Sequence, residues 1–111
     1  MDTPIGNEGA LTGTTPVTVL SAPASGKQRQ VPAAGLSVFN RDTVPHDFTF
    51  QKHKGASTFP FWKELSVDPG VHVVLPKKVV LDADDETLEV ASNATATTTE
   101  PAFDLAAMEC D

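Results

Sequence analysis

The side chains with the strongest claim to acid–base or metal chemistry are three histidines, His46, His53 and His72. Histidine titrates near neutral pH and is the commonest metal ligand. Asp47 adjoins His46, but neighbours in a strand point to opposite faces, so Asp47 is not placed to orient that ring. A Ser–His–Asp site would have to be assembled from distant parts of the chain, because no Gly-x-Ser-x-Gly turn occurs. The spacing of the histidines does not favour a metal site either, so the sequence predicts no catalytic residues and no enzyme.

A second candidate for chemistry is the acidic run formed by Asp82, Asp84, Asp85 and Glu86. Carboxylate oxygens at this density are ligands that calcium accepts. The calcium-loop template also needs a central glycine and a distal bidentate glutamate, and neither stands at the required offset here. The run is therefore expected to be a solvated acidic turn, and the sequence predicts no metal and no cofactor.

Four lysines, Lys52, Lys54, Lys77 and Lys78, form a basic patch if the two loops that carry them are adjacent. Lysines without interleaved aromatic side chains are a weak sign of nucleic-acid binding. The chain also lacks the basic excess of a protein that coats nucleic acid. Surface ion pairs are the expected role, and no nucleic-acid partner is predicted.

The segment Phe59-Pro60-Phe61-Trp62 is the most concentrated apolar feature of the chain. Aromatic side chains are favoured anchors at protein interfaces, and each contributes roughly 1.5–3 kcal/mol when fully buried. A proline beside three aromatic residues resists regular strand pairing, which favours surface positions for some of the rings. We expect Phe59, Phe61 and Trp62 to contact a partner or a second copy. The alternative is that these rings close one end of the core.

Size and charge limit the class of protein. The 111 residues allow one domain, and 15 acidic against 8 basic side chains give a net charge of −7. Residues 1–26 carry −2, residues 27–78 carry +4 and residues 79–111 carry −9. A chain polarised in this way suits docking on a patterned surface or on a copy of itself, although acidic loops that only maintain solubility are the alternative. The single cysteine, Cys110, excludes an intrachain disulfide, and no apolar run predicts a membrane span or a signal peptide.

The elements that must position these residues are short strands. His46–Gln51 shows the clearest alternation, with Phe48 and Phe50 on one face, and turn residues recur about every 8–12 positions, as in sandwiches and small barrels. Ala102–Cys110 fits a last strand or a short helix, and a strand is favoured. The other predicted strands are Pro16–Ala22, Gln28–Val31, Leu36–Phe39, Val71–Leu75, Val79–Leu81 and Thr87–Ala91.

The first fifteen residues differ from the rest because they show no period of 2 or 3.6 and are rich in Gly, Thr, Pro and Asn. This pattern fits an extended arm or a disordered tail, and we expect an extended N-terminal arm over residues 1–15, followed by a single β-sandwich domain over residues 16–111. The fold class predicted is all-β, a small antiparallel β-sandwich or barrel with that extended arm.

Three segments in order resemble small virion proteins of tailed bacteriophages. Leu36–Phe50 resembles a strand–loop–strand of those proteins, Leu65–Leu75 resembles their next hairpin, and Val80–Val90 resembles a third hairpin with an acidic turn. The resemblance covers about residues 28–91. The chain departs from that pattern in lacking the usual glycine in the acidic turn and in its aromatic insert at residues 59–62.

The resemblance implies a non-enzymatic structural protein of a bacteriophage particle, made in the host cytoplasm. Within that class we expect a capsid decoration (cement) protein on the outer capsid surface that bridges capsid subunits. Its partners would be the major capsid protein and itself, as a homotrimer, with no nucleic acid and no membrane. The arm would add to a strand edge of the capsid protein. Its contact residues would be Thr3, Pro4, Ile5 and Leu11.

Two other functions remain open from the sequence. One is a head–tail joining, collar or spike/fibre component, which a low copy number in the particle would distinguish from a cement protein. The other is a carbohydrate-binding adhesion module, since small β-sandwiches often bind sugars. With Trp62 as the single tryptophan and no tyrosine, the aromatic platform for sugar stacking is thin.

Overall fold

The computed structural model of the chain describes residues 3–110, and every regular element in that range is a β-strand. The prediction of an all-β fold is therefore confirmed. Within residues 3–110 there is no helix capable of spanning a membrane. The strands are β1 Thr3–Ala10, β2 Val17–Leu20, β3 Gln28–Val31, β4 Leu36–Phe39, β5 His46–Lys54, β6 Ser57–Val67, β7 His72–Val74, β8 Val79–Leu81, β9 Glu86–Ser92 and β10 Ala102–Cys110.

The first sheet is built around β10, the strand expected at Ala102–Cys110. Strand β1 pairs antiparallel with β10 along its whole length. Strands β4 and β3 pair with the first and last parts of β10, so they share its other edge and lie end to end. Strand β7 pairs with β4, and β8 pairs with β3, so these two short strands are also in line. The sheet is thus four positions wide, in the order β1, β10, β3 with β4, and β7 with β8.

The second sheet has the order β2-β9-β5-β6, and all its pairings are antiparallel. The chain changes sheet between successive strand positions, except that β5 and β6 form a hairpin within the second sheet. Strands β1 and β2 are in contact at one side of the sandwich. Eight strand positions in two four-stranded antiparallel sheets, with this connectivity, define a jelly roll. The expected antiparallel sandwich is therefore confirmed, and its topology is now specified.

The core lies between the two sheets and follows the alternation of β4, β9, β10 and the first five residues of β5. Because side chains in a strand alternate between faces, every second residue of these strands points inward. The fully buried side chains are almost all aliphatic or phenylalanine, which is the composition that packs a dry interior. The largest of them are Phe48, Phe50, Leu11, Leu36, Leu75, Leu81 and Leu88.

The break between β3 and β4 has a steric cause. A Cβ on Gly35 would lie 2.8 Å from the carbonyl oxygen of Ala106 and equally close to the Pro32 ring. The N–H of Ala106 donates to the Gly35 carbonyl at 2.7 Å, and Ala34 has a positive φ of 64°. The segment from Pro32 to Gly35 is therefore a tight turn after which the chain resumes its pairing with β10.

Strand β6 differs from expectation, since the proline within it does not end the pairing. It pairs with β5 from Ser57 to Val67, with two irregularities at which β6 holds one residue more than β5. One irregularity lies beside Pro60, and the other beside Ser66, whose φ is +52°. Bulges of this kind absorb a residue that cannot continue the ladder, so the strand is bent rather than broken.

The N-terminal segment lies in the same sandwich as the rest of the described chain. Residues 3–10 form β1, and Leu11 is buried in the core, where its N–H donates to the carbonyl of Pro101 at 2.8 Å. The segment is extended, as expected, but its pairing partner in this conformation is β10 of its own chain. A separate role for residues 1–15 stays a prediction.

Candidate functional site

Three side chains of the types used in acid–base and nucleophilic catalysis, Asp42, His46 and Ser92, form a buried hydrogen-bonded cluster. The Nε2–H of His46 donates to Oδ2 of Asp42 at 2.7 Å, and its Nδ1 lies 2.8 Å from Oγ of Ser92. The loop from Asn40 to Pro45 brings Asp42 back onto the first residue of β5. The register of β9 against β5, in which Phe48 faces Ser92, brings the hydroxyl to the ring. All three side chains are buried.

Asp42 is the centre of this cluster because it accepts hydrogen bonds from several parts of the chain. The hydrogen bond from His46 holds the pKa of the Asp42 carboxyl far below its ordinary value, against the opposing effect of burial. The backbone N–H groups of Thr97, Thr98 and Thr43 lower this pKa further. An ionised carboxylate in this position fixes the loop between β9 and β10 to the loop before β5.

The cluster has the residue types of a hydrolase triad but not its accessibility. The Ser92 hydroxyl is buried and donates to the carbonyl of Ala94 at 3.0 Å. A nucleophile must reach a substrate carbonyl, and this hydroxyl is committed to the loop that covers it. In this conformation the arrangement can therefore hold loops together but cannot attack a substrate. Sequence reasoning considered Asp47, which instead accepts the N–H of Ser66 at 2.7 Å, and missed Asp42 and Ser92.

The structure places the other two histidines away from His46. His53 lies seven residues along β5, about 23 Å for an extended strand, and its Nδ1 is 3.1 Å from Oγ1 of Thr58. His72, on β7 of the other sheet, stacks on Phe39 with 4.3 Å between the ring centroids. The histidines therefore do not converge, and each has a local partner.

The acidic run also divides. Asp82, Asp84 and Asp85 are exposed in the turn after β8. Glu86 points inward instead, where its Oε1 accepts the N–H of Asp82 at 2.9 Å and its Oε2 lies 3.3 Å from Nζ of Lys52. Glu86 is thus the one buried carboxylate of the run. It stabilises the turn by a hydrogen bond and forms an ion pair with a lysine.

Most of the exposed large apolar side chains lie on the side of the sandwich formed by β6 and β7. Five large apolar side chains are exposed there: Phe59 (54% exposed), Trp62 (40%), Leu65 (65%), Val71 and Val74. Among residues 3–110 the sixth exposed residue of this type is Met108, on β10. We call this surface, made of β6, β7 and residues 77–80, the β6 side.

Trp62 is exposed although it stands on the inward face of its sheet. It pairs with Phe50, and Phe50 is completely buried, so both side chains leave the sheet on the core side. At Trp62 the core therefore does not cover β6, although Val67 at the end of the same strand is buried. The indole N–H of Trp62 donates to Oε1 of Glu64, also on this face, at 2.8 Å. The ring is thereby held in place rather than free to rotate.

A cleft of about 330 Å³ lies between β6 and β8. Phe61 packs partly on the core, and Nζ of Lys77 lies 5.3 Å from the centroid of its ring, a cation–π contact. The predicted basic patch is partly formed here, since Lys52, Lys77 and Lys78 line this cleft. A second cleft of about 380 Å³ separates the end of β6 from β7 and includes Leu65 and Val71.

The predicted contact residues thus fall into two groups. Phe59 and Trp62 are exposed on the β6 side, and Phe61 is half-buried there. In β1, Thr3 and Pro4 are exposed and Ile5 is half-buried against the core. Leu11 is buried inside its own domain, so it is not available to a partner in this conformation.

No protein-family model matches the chain, and no curated protein does. Among solved structures the chain is similar to a pentameric capsid protein isolated from metagenomic phage sequences. Of its two crystal structures, the first matches 96% of this chain and 61% of that chain, with 18% identity and a TM-score of 0.46. In the second, 60% of that chain is covered, with the same identity and TM-score.

A chain in the structure of infectious bursal disease virus, Gt strain, matches 98% of this chain and 30% of its own length, with 12% identity and a TM-score of 0.52. The chain therefore spans about three fifths of the phage protein and less than a third of the viral one. At these identities the likeness concerns the fold, an antiparallel β-sandwich.

Proposed function

We propose that this chain is a non-enzymatic structural protein of a virus particle and works as one subunit among many. The observation that carries the proposal is the β6 side, where five large apolar side chains are exposed along one side of a small domain. Exposed apolar patches rimmed by charge are typical of protein–protein contacts. Burying this surface in an assembly would add stability to a domain of 111 residues.

The fold is compatible with the proposal without establishing it, since jelly rolls occur in viral coats, lectins and cupins alike. The local geometry favours the first of these. The triad-like cluster is closed and holds loops together, and the exposed aromatic side chains belong to an edge strand. The similarity in fold to a chain of infectious bursal disease virus agrees with this choice.

The more specific proposal is a decoration protein on the outer surface of a bacteriophage capsid. Its partners would be the major capsid protein and other copies of itself, with a trimer as the expected form. Small size, acidic net charge and a compact β-domain suit a protein outside the shell, away from the packaged genome.

The structure changes how the N-terminal contact should be tested. Removing residues 1–15 would delete β1 and the buried Leu11 together, and the domain would lose a strand as well as a contact. Changing Thr3 and Pro4 to glutamate alters two exposed side chains of β1 and leaves the core intact. If β1 contacts the shell, this variant folds normally and binds purified shells more weakly than the unaltered chain.

The copy number of the chain in purified particles tests the proposal. We expect a band of intensity comparable to that of the major shell protein on a stained gel, confirmed by quantitative mass spectrometry. A copy number that corresponds to one ring in each particle would contradict the decoration role and favour a head–tail joining or collar role. Absence of the chain from purified particles would contradict the virion role altogether.

A further inference from the structure

The β6 side carries lysines next to its apolar side chains. Lys77 and Lys78 are exposed in the break between β7 and β8, and Lys63 is exposed on β6. Lys77 covers the ring of Phe61 and both Lys77 and Lys78 line the cleft beside it. A partner that buries Phe59 and Trp62 would therefore bring its own side chains against two positive charges, and these would favour an acidic surface.

The edge of β6 is a poor template for a regular added strand. Pro60 has no N–H to donate, and the two bulges distort the line of backbone groups. Proline, lysine and bulges are the devices that natural edge strands use against main-chain pairing. The partner of the β6 side is thus held through side chains, so its shape and charge decide which surface fits.

An acidic surface of that kind lies on the outer face of the first sheet, where β1 pairs with β10. Glu8 on β1 stands directly across from Asp104 on β10, and both side chains are exposed on the outer face of the first sheet. Like charges directly opposite each other in a sheet are destabilising. Within residues 3–110 neither carboxylate forms an ion pair. Arg41 lines the cleft beside Glu8, but its Nε–H donates to the carbonyl of Glu100 at 2.6 Å.

The two surfaces are formed by different strands, since Glu8 lies on the edge strand β1 and Asp104 on its neighbour β10, whereas Lys77 and Lys78 lie between β7 and β8. Lys78 also lines a cleft with Pro4 of β1 and Met108 of β10. Within residues 3–110 the Glu8–Asp104 pair presents two carboxylates without an ion pair, and the β6 side presents lysines beside exposed aromatic rings.

We propose that the β6 side of one copy docks on the Glu8–Asp104 pair of the next copy, with Lys77 and Lys78 supplying the missing positive charge. This inference deepens the proposed function and rests on it. Because the two surfaces are different, the contact is head-to-tail, and repetition gives a closed ring or an open row rather than a two-fold dimer. The apolar side chains would supply the affinity, and the charges would select the surface.

Charge exchange tests this contact directly. The unaltered chain, the pair variant Lys77→Glu with Lys78→Glu, the pair variant Glu8→Lys with Asp104→Lys, and the chain with all four changes are compared by native mass spectrometry and light scattering. Each pair variant places like charges across the contact, so we expect association to weaken by roughly tenfold or more. The fourfold variant restores opposite charges and should associate to within about threefold of the unaltered chain.

Folding is monitored for every variant by circular dichroism and thermal unfolding. Glu8→Lys with Asp104→Lys exchanges one exposed like-charge pair for another, and the neutral pair Glu8→Gln with Asp104→Asn serves if the lysine variant does not fold. A chain that stays monomeric at all concentrations contradicts the inference. So does a fourfold variant that is as weak as either pair variant, or a Glu8/Asp104 variant that associates normally.

The same variants distinguish other partners of the β6 side. If the acidic partner is a different shell protein, Lys77→Glu with Lys78→Glu weakens binding to purified shells, and the fourfold variant does not recover it; that result overturns self-contact. If instead the isolated chain forms charge-dependent rings but is absent from particles, the self-contact stands and the proposed virion role fails. The two proposals therefore fail on different measurements.

Discussion

The Asp42 cluster and the β6 side use their conspicuous residues in opposite ways. In the cluster, a carboxylate, an imidazole and a hydroxyl are buried and hydrogen-bonded to one another and to the covering loop. On the β6 side, aromatic and aliphatic groups that would normally be buried are left in water. The chemically reactive side chains of the cluster thus stabilise the fold, whereas the apolar side chains of the β6 side remain exposed to solvent.

The difference follows from what each kind of group costs in its surroundings. A buried charge is unfavourable unless it is paired and hydrogen-bonded, and Asp42 satisfies both conditions. Hydrogen bonds within the chain cannot stabilise exposed apolar area in the same way, because only contact with another surface removes it from water. The closed polar cluster therefore stabilises the loops around it, whereas the exposed apolar surface is one that contact with another surface would stabilise.

Replacing Asp42 by asparagine should cause the largest loss of stability among the changes considered. Asparagine has nearly the same shape but no charge. Its NH2 group would replace one carboxylate oxygen that now accepts hydrogen bonds from backbone N–H groups, so donor would face donor. We expect the largest drop in the midpoint of thermal unfolding, with the loop at residues 93–99 losing protection from hydrogen exchange first.

Asp68→Asn is the matched control, since Asp68 is exposed in the turn before β7. This variant should unfold at almost the temperature of the unaltered chain. An Asp42→Asn protein as stable as the control would show that the cluster does not fix the two loops.

Acid should remove the same contribution in the unaltered chain. The pKa of Asp42 is lowered on folding, so its contribution is fully present above the unfolded value near 3.8 and is lost as pH falls from there towards the folded pKa. The difference in unfolding midpoint between the unaltered chain and Asp42→Asn should therefore be constant from about pH 5 upwards and shrink below about pH 4. A difference that stays constant down to pH 2 would assign the effect of the substitution to shape rather than to charge.

The sheets were largely predictable because alternation is a local property. His46–Gln51 and Leu36–Phe39 show the period of two expected for strands, and both occur as strands. The pairing of β1 with β10 was not predictable, because residues 3–10 have no clear alternation and their partner lies about a hundred residues away. The strand was recognised only as an extended segment for the same reason.

The candidate sites were predictable to different degrees. The aromatic segment at residues 59–62 is evident in the sequence, and its exposed position follows from the proline and the edge. The Asp42–His46 pair has a local signal, since a short turn with Pro45 separates the two residues. Ser92 has none, because its position beside His46 depends on the register between β5 and β9. A long-range register of this kind is set by packing of the whole sheet.

Replacing Trp62 by alanine should have the smallest effect on stability and a large effect on assembly. The ring is 40% exposed and lies where the core does not cover β6, so we expect the free energy of unfolding of the isolated chain to fall by about 1 kcal/mol or less. Truncating an aromatic anchor at an interface commonly costs about 2 kcal/mol or more of binding energy, so association should weaken by at least roughly tenfold.

Met108→Ala is the control for that change, because Met108 is exposed to a similar extent (38%) but lies on the outer face of the first sheet. Because Met108 shares that face with the Glu8–Asp104 pair, association should fall less than in Trp62→Ala, and unfolding should stay near that of the unaltered chain. Native mass spectrometry measures the association, and calorimetry measures the unfolding. Equal loss of association in the two variants would mean that exposed apolar area drives the contact wherever it lies. A loss confined to Trp62→Ala identifies the β6 side as the surface that the fold leaves open for a partner.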